Sequence, residues 1–353
     1  MKNNIVIDIR MLKNSGISNY IQNIVPNVVN HFKNTNFIIL TAPDSDFKYI
    51  INKFHSNNYK ILKINSQVYS FFEQIEIVSK LKFYKINLYW APNYNIPIFL
   101  NANFLITVHD LWHLIDKSWK RFYRRLYSKI MFFVISKKNS SIIAVSNFTK
   151  NEIISNTKIK NNISVIKHGI EKHWISTKSF KKNKDILFVG NIRNHKNIKL
   201  LIDTFINMNL KSISLILIGK NNNYLDETKY KYDNFKFIKE INRKKLIDYY
   251  NEARLLILPS KYEGFGFTPL EAMSCECPVL LSDIEPLKEI CGNGAYYFDL
   301  KNSKDLENKI LVLMNNESLC DELIANGKLN IKKYSWEKTS NETIKKIDKL
   351  LVS

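Results

Sequence analysis

Apolar positions along the chain fall into short β-branched runs separated by longer stretches of helical spacing. Ile5–Ile9 reads as a buried strand, and Asn19–Phe32 follows with the apolar spacing of a helix. Phe37–Thr41, Ile61–Ile64, Asn87–Ala91 and Phe104–Val108 are further strands. Tyr123–Ile135 is helical, and Ser141–Val145 and Ser164–Ile166 return to strand character. The stretch from Gly169 to Lys184 loses this periodicity and gains Lys and Ser. A second cycle then begins: strand Ile186–Val189, helix Ile198–Met208, strand Leu215–Ile218, helix Leu246–Glu252, and strands Leu255–Leu258, Pro278–Leu281 and Tyr296–Phe298. Strands alternating with helices predict parallel sheets covered by helices. Two such halves of similar size suggest two Rossmann-like domains facing a central cleft. The expected boundaries are 1–168, a linker at 169–184, a second domain at 185–335, and a C-terminal helix at 336–353 that could return to the first domain.

The length of 353 residues suits two domains, and 45% apolar composition suits a folded chain. The formal charge of +21 draws nucleic acid, anionic membrane or phosphorylated ligands without choosing among them. The four cysteines, Cys275, Cys277, Cys291 and Cys320, include a C-x-C pair but no second pair at zinc-site spacing. Neither a signal-peptide pattern nor an apolar run of the ~20 residues a span requires is evident, so a cytoplasmic protein is expected.

In open α/β sheets, ligands bind beyond the carboxyl ends of the strands. After Leu255–Leu258 comes PSKYEGFGFTPLEAMSCECPVLLS, residues 259–282. Gly264 and Gly266 let backbone approach a ligand closely, and Pro269 suits the first turn of a helix. A helix beginning near Phe267 offers amides and a partial positive charge, a seat for a diphosphate. Glu263 and Glu271 bracket that seat; each is a good acceptor for sugar hydroxyls, and each is equally an ordinary turn or helix-start acid. After Ile186–Val189 comes GNIRNHKN, residues 190–197, the order strand, glycine, cationic loop, helix that binds phosphate. In the first half, Ser15-Gly16-Ile17-Ser18 follows the first strand, and His109-Asp110 follows Phe104–Val108.

The segment E-G-F-G-x-x-x-L-E-A-M followed by C-P-V, spanning Glu263 to Val279, resembles the donor-site signature of family 4 glycosyltransferases of the GT-B fold. The resemblance implies a retaining, metal-independent transferase that moves a hexose from a sugar nucleotide to an acceptor. By it, Glu271 holds the nucleotide ribose and Glu263 contacts the donor sugar, with Gly264, Phe265, Gly266 and Phe267 lining the donor. Lys196 matches the family lysine that neutralises the diphosphate. The family arginine often follows the glycine, where this chain has Asn191; Arg193 is the substitute on offer. Gly16 and Gly190 match glycines beside the donor phosphates, and His109 matches the histidine of a V-H-D pattern that faces the sugar. The family also usually has Gly before the proline, where this chain has Glu276 or Cys277. Val145–Lys150 and Ile166–Gly169 match the family too and read mainly as a Ser-capped helix start and a domain exit with His168. Tyr94 and Asn95, after the strand ending at Ala91, are expected on the acceptor-side wall; Tyr94 either stacks on a sugar or belongs to a packed loop.

No metal is expected, since the cationic loop would neutralise the diphosphate and no D-x-D pair accompanies the donor motif. The openings S-G-I and K-N resemble bacterial mannosyltransferases of surface-polysaccharide synthesis. That implies GDP-mannose as donor, with a UDP-sugar as the other option, and a lipid-linked oligosaccharide as acceptor. Two other classes remain open: a sugar-nucleotide epimerase on the same fold, and a nucleic-acid-binding protein suggested by charge alone. No nucleic-acid-reading motif is seen, and no nucleic acid partner is expected.

Residues 117–138, KSWKRFYRRLYSKIMFFVISKK, hold eight Lys or Arg and no acid. Phe122, Leu126, Ile130 and Phe133 can share one helical face, with Arg121, Arg124, Arg125 and Lys129 largely elsewhere; Lys120, Arg121, Arg124 and Arg125 are the expected lipid contacts. A basic amphipathic helix predicts docking at the inner face of the membrane. The competing expectation is that the apolar face packs on the sheet and the basic face is merely solvated.

Overall fold

In the computed structural model the chain forms two compact units, Met1–Gly169 with Trp336–Ser353, and Ile170–Ser335. The structure describes residues 2–12, 15–43, 46–118, 122–171, 174, 183–221, 224–230 and 232–352. Most of the linker expected at 169–184 therefore lies outside the described residues.

The first unit is built on β1 (Asn4–Asp8), β2 (Asn36–Thr41), β3 (Tyr59–Lys63), β4 (Leu88–Ala91), β5 (Asn103–Val108), β6 (Ser140–Ala144) and β7 (Ile163–Val165). They form one parallel sheet in the order β3-β2-β1-β4-β5-β6-β7. The second unit is built on β8 (Ile186–Val189), β9 (Leu215–Ile218), β10 (Phe235–Ile238), β11 (Leu255–Leu258), β12 (Val279–Ser282) and β13 (Tyr296–Phe298). Its parallel order is β10-β9-β8-β11-β12-β13. Each order reverses once, between β1 and β4 and between β8 and β11. The strands flanking each reversal are almost wholly buried, because helices cover both sheet faces. Edge strand β10, FKFI, is only half-buried, and that weaker apolar signal hides it from periodicity.

Helix Ser15–His31 begins earlier than its apolar spacing suggests, and Tyr20, Ile21, Ile24, Val25, Val28 and Val29 are fully buried on it. The last helix, Trp336–Val352, packs against it and completes the first unit. Asn27 Nδ2 donates to Ser340 Oγ at 2.9 Å, and Thr339 Oγ1 donates to the Lys167 carbonyl at 2.8 Å. Ser146 caps helix Asn147–Asn156 by accepting from the Thr149 amide.

Helix Phe122–Lys137 corrects one expectation. It buries Ser128, Met131, Phe132 and Ile135 against the sheet. Phe122, Leu126, Ile130 and Phe133, the face that was to pack, are exposed. The helix carries apolar residues on two opposite sides, and spacing alone does not say which side meets the sheet. Lys120 and Arg121 lie outside the described residues; Arg124 is exposed and Arg125 partly so.

Glu276, one of the two positions at which the resemblance suggests glycine, has φ +56° just past helix Phe267–Ser274. A side chain there costs about 1 kcal/mol, because Cβ crowds the backbone. The half-exposed pair of Glu276 Oε1 with Lys328 Nζ at 2.8 Å returns only a few tenths of that. Glu276→Gly is therefore expected to stabilise the protein by about 0.5–1 kcal/mol, and Glu276→Ala, which keeps Cβ and loses the pair, to destabilise it. Urea unfolding of the two variants reads both signs; equal destabilisation would refute the strain.

Candidate functional site

At the reversal of the second sheet, the loops leaving β8 and β11 meet. Gly190 ends β8 with φ +150°, its amide donating to the Ile218 carbonyl at 2.8 Å. The chain runs on through Ile192, whose amide donates to the Lys220 carbonyl at 2.9 Å, into a short turn at Asn194–Lys196. Asn197, at φ +52°, then redirects the chain into helix Ile198–Met208. The Lys261 amide ties the two loops together by donating to the His195 carbonyl at 2.7 Å.

Across this junction Lys196 Nζ and Glu263 Oε1 form an ion pair at 2.6 Å, both side chains mostly buried. Burial alone would raise the Glu263 carboxyl, but the Lys196 ammonium overrides it and holds the group below the usual carboxylate range. The sequence motifs that contain these residues lie 67 positions apart. Arg193 is exposed on the same loop.

Glu263 opens the turn into helix Phe267–Ser274. Gly266 is its cap, at φ +102°, and a Cβ there would come within 3.1 Å of Leu287 Cδ2. The left-handed glycine lets the chain turn from the β11 loop straight into the helix, whose N-terminus carries the partial positive charge that suits an anion. Phe265 is buried and packs on Phe267 and Tyr334 with ring centroids 5.3 and 5.7 Å away. Glu271 lies one turn into the helix, and the Tyr250 hydroxyl donates to its Oε2 at 3.2 Å. Burial pushes the Glu271 carboxyl up to about 7, only partly offset by Tyr250 and Arg243. Arg243 itself pairs with Glu171 at 2.6 Å and lies over the Trp174 ring.

Tyr250 and Arg243 were missed in the sequence because no motif contains them; they sit on helix Arg243–Glu252, read only as apolar spacing. Gly219 was read only as the end of a strand. It has φ +150°, and a Cβ on it would lie 2.0 Å from the Gly190 carbonyl oxygen. Glycine is required there for the Gly190 turn to take its place.

The first unit gathers a different set. Gly16 is the second residue of helix Ser15–His31, beyond β1. Past the carboxyl ends of β1 and β4, the buried Arg10 guanidinium donates to Asp8 at 2.7 Å and to Glu73 at 2.8 Å. Asn95 Nδ2 donates to Glu73 Oε1 at 2.9 Å, and the Tyr127 hydroxyl donates to Asn95 Oδ1 with Glu73 Oε1 3.3 Å away. Tyr94 stacks on Phe132 at 5.2 Å, and its hydroxyl meets His113 Nδ1 and Ser128 Oγ. Tyr94 and Asn95 are thus buried in a packed polar loop and do not present a wall to solvent.

His109 is also engaged on both sides. Its Nε2 lies 2.9 Å from the Pro92 carbonyl, which can only accept, so Nε2 carries the proton. Nδ1 then accepts from His168 Nε2, 3.1 Å away. Burial pushes His109 down to about 4 and His168 well below the ordinary range, so the stacked pair is neutral near pH 7. Contact of either His109 nitrogen with a sugar requires exchange of one of these bonds.

Comparison with known proteins bears on the family and the fold. The family model for Glycosyltransferase Family 4 matches residues 16–174, and that for Glycosyl transferases group 1 matches residues 170–330. An uncharacterized glycosyltransferase of Methanocaldococcus jannaschii is 31% identical over 246 residues, 68% of this chain and 66% of that one, just under two thirds of its length. The O-antigen chain mannosyltransferase RfbU of Salmonella typhimurium is 27% identical over 79% of this chain and 77% of its own. Among solved structures, HepE of Anabaena in complex with UDP-glucose superposes with a TM-score of 0.78 at 14% identity, covering 98% of this chain and 99% of that one. The fold is the GT-B fold. The chain belongs to the family 4, group 1 glycosyltransferases.

The raised Glu271 carboxyl has a consequence for stability. A carboxyl whose folded value stands near 7, against 4.5 ordinarily, contributes stability fully below 4.5 and loses it as pH rises through 7. Glu271→Gln removes this loss. The variant should gain on the order of 3 kcal/mol relative to wild type between pH 4.5 and 8, read by urea unfolding at both pH values. A constant difference across that window would refute the raised carboxyl.

Proposed function

We propose that the chain is a retaining hexosyltransferase whose donor seat is the β8–β11 junction of the second unit. The observation that carries this is the Lys196–Glu263 ion pair at the mouth of helix Phe267–Ser274, with Glu271 one turn further on. Lys196, the helix N-terminus near Phe267 and, on the exposed side, Arg193 would stabilise a departing nucleoside diphosphate. Glu263 holds Lys196 in place before the donor arrives and accepts from a sugar hydroxyl afterwards. Glu271 accepts from the ribose hydroxyls. The bond from the sugar anomeric carbon to the diphosphate oxygen breaks, the acceptor hydroxyl forms its new bond on the same face, and its proton passes to the leaving diphosphate. His109 exchanges its Pro92 bond for a hydroxyl of the sugar.

A mannose donor, GDP-mannose, is favoured by the likeness to the Salmonella mannosyltransferase; the UDP-glucose complex of HepE keeps a UDP-sugar in view. The acceptor is a growing, lipid-linked oligosaccharide of a surface polysaccharide such as O-antigen or capsule. Among the described residues no helix is long and apolar enough to cross a membrane. Peripheral docking of the first unit through the basic segment 117–138 fits such an acceptor. The reaction is taken to need no metal because Lys196 supplies the positive charge. The chain does hold one D-x-D triplet, Asp44-Ser45-Asp46, with Asp44 and Ser45 outside the described residues, so this point rests on the cationic loop alone.

Turnover of a panel of sugar nucleotides, scored by mass spectrometry, tests the activity: a glycosylated acceptor supports it, and an isomerised free nucleotide sugar would point to an epimerase. Excess EDTA should leave the rate unchanged, and the new linkage should be α by NMR from an α-linked donor; a β product removes the enzyme from the retaining class.

Lys196→Ala should lower kcat by about 10²–10³-fold. Glu271→Ala should weaken nucleotide binding by roughly tenfold or more. Because the carboxylate is the form that accepts from a ribose, wild-type affinity should rise as pH passes 7, and Glu271→Gln should flatten that rise. Full activity in both single variants would remove the donor seat from this junction.

A further inference from the structure

We infer that the first unit meets the membrane with two helices, the apolar stripe of Phe71–Leu81 inserting into an anionic leaflet beside that of Phe122–Lys137. This rests on the membrane reading above and adds a segment to which no role has been assigned. On helix Phe71–Leu81, Phe71, Phe72 and Ile75 are 66%, 73% and 53% exposed, while Glu73, Gln74, Ile77 and Leu81 are buried on the opposite side. On helix Phe122–Lys137, Phe122, Leu126, Ile130 and Phe133 are 39–51% exposed, at the spacing of one face. The helices are neighbours: the Tyr127 hydroxyl lies 3.3 Å from Glu73 Oε1, and the Tyr127 ring is 5.7 Å from that of Tyr69, two residues before the first helix.

Exposed aromatic and aliphatic side chains clustered on one unit mark an interaction surface. The surrounding charge says what it meets. Lys137 and Lys158 lie over the Phe133 ring, 5.9 and 5.4 Å from its centroid, and the Arg125 guanidinium is 6.0 Å from that of Phe122. Segment 117–138 contains no acid. On the other helix Glu73 is buried, and Glu76 is held by Lys80 and by the amides of Asn65 and Ser66. Apolar side chains with cations against the Phe122 and Phe133 rings, and with no unpaired acid on either helix among the contacts above, fit a bilayer with anionic headgroups, where rings sit at the headgroup boundary and Lys and Arg reach phosphates. A second copy of the chain fits poorly, because a two-fold contact would set this cationic surface against itself.

Electrostatic attraction fades with salt, whereas insertion of apolar side chains does not. The full chain is therefore sedimented with phosphatidylcholine vesicles, with and without phosphatidylglycerol, at about 0.1 M and about 0.5 M NaCl. Wild type should bind the anionic vesicles strongly at low salt and keep a measurable fraction at high salt. The combined variant Phe71→Ser, Phe72→Ser, Ile75→Ser should lose that salt-resistant fraction by roughly tenfold or more. Its thermal melt and donor turnover on a soluble acceptor should be unchanged, since the three residues are exposed and far from the donor motif in sequence. Independently, Phe72→Trp should add blue-shifted emission on mixing with anionic vesicles and be quenched by brominated lipid. If the triple variant binds as wild type and the added indole emission of the Phe72→Trp variant does not move, the two-helix surface is overturned while docking by the basic helix stands. If wild type ignores anionic vesicles at low salt, membrane docking itself fails. A wild-type dimer in sedimentation equilibrium that the triple variant dissolves would assign the surface to self-association and overturn the proposal.

Discussion

Parallel strands send all their carboxyl-end loops in one direction, and right-handed crossovers on opposite faces make neighbouring loops part where strand order reverses. In the second unit that parting falls between β8 and β11. The loops there are held by a single ion pair, Lys196–Glu263, and by the Lys261 amide on the His195 carbonyl. A buried pair of this kind contributes little net stability, since desolvation offsets most of the attraction. What it does is fix the ammonium and the carboxylate where a diphosphate and a sugar are expected. Gly190, Gly219 and Gly266 follow from the same requirement, as each allows backbone where a side chain would be strained or would collide.

The first unit resolves the same topological gap differently. Between β1 and β4 the opening is filled by its own side chains, Asp8, Arg10, Glu73 and Asn95, with Tyr89 and Tyr127 completing the network. Burial keeps Glu73 above the usual carboxylate range even with Arg10 beside it. Both ring nitrogens of His109, beyond β5, are likewise engaged, one by the Pro92 carbonyl and the other by His168, beyond β7. One unit therefore carries a charged junction able to exchange partners, and the other a neutral or self-compensated one that fixes loop geometry.

Much of this was legible in the chain. Strands next to each reversal are continuous apolar runs because both their faces are covered, so β1, β4, β8 and β11 stand out. The Glu263–Glu271 segment and the Lys196 loop were readable because glycine, proline and charge follow strand ends in fixed order. Other features were hidden for physical reasons. The Arg10–Glu73 pair spans 63 positions, and no local pattern links them. Helix Phe122–Lys137 has apolar residues on both sides, and only tertiary packing decides that Met131, Phe132 and Ile135 go inward. Tyr250 reaches Glu271 from a helix whose apolar spacing announces packing and nothing else. Glu276 shows the reverse: a missing glycine was visible in the sequence, but the left-handed backbone that makes it matter was not.

The return of helix Trp336–Val352 to the first unit makes the second unit an insertion within the first. The chain crosses between them twice, and the two crossings are clamped side by side by the parallel bridge of Ile170 with Ser335. In chain order the inserted unit ends before the helix whose Trp336 ring packs on His168 and whose Thr343 reaches the Tyr20 hydroxyl. The apolar helix Ser15–His31 therefore gains part of its cover from residues that lie beyond the whole second unit in the sequence. A chain stopped near residue 335 would keep the second unit whole and leave the first without the helix that packs on Ser15–His31.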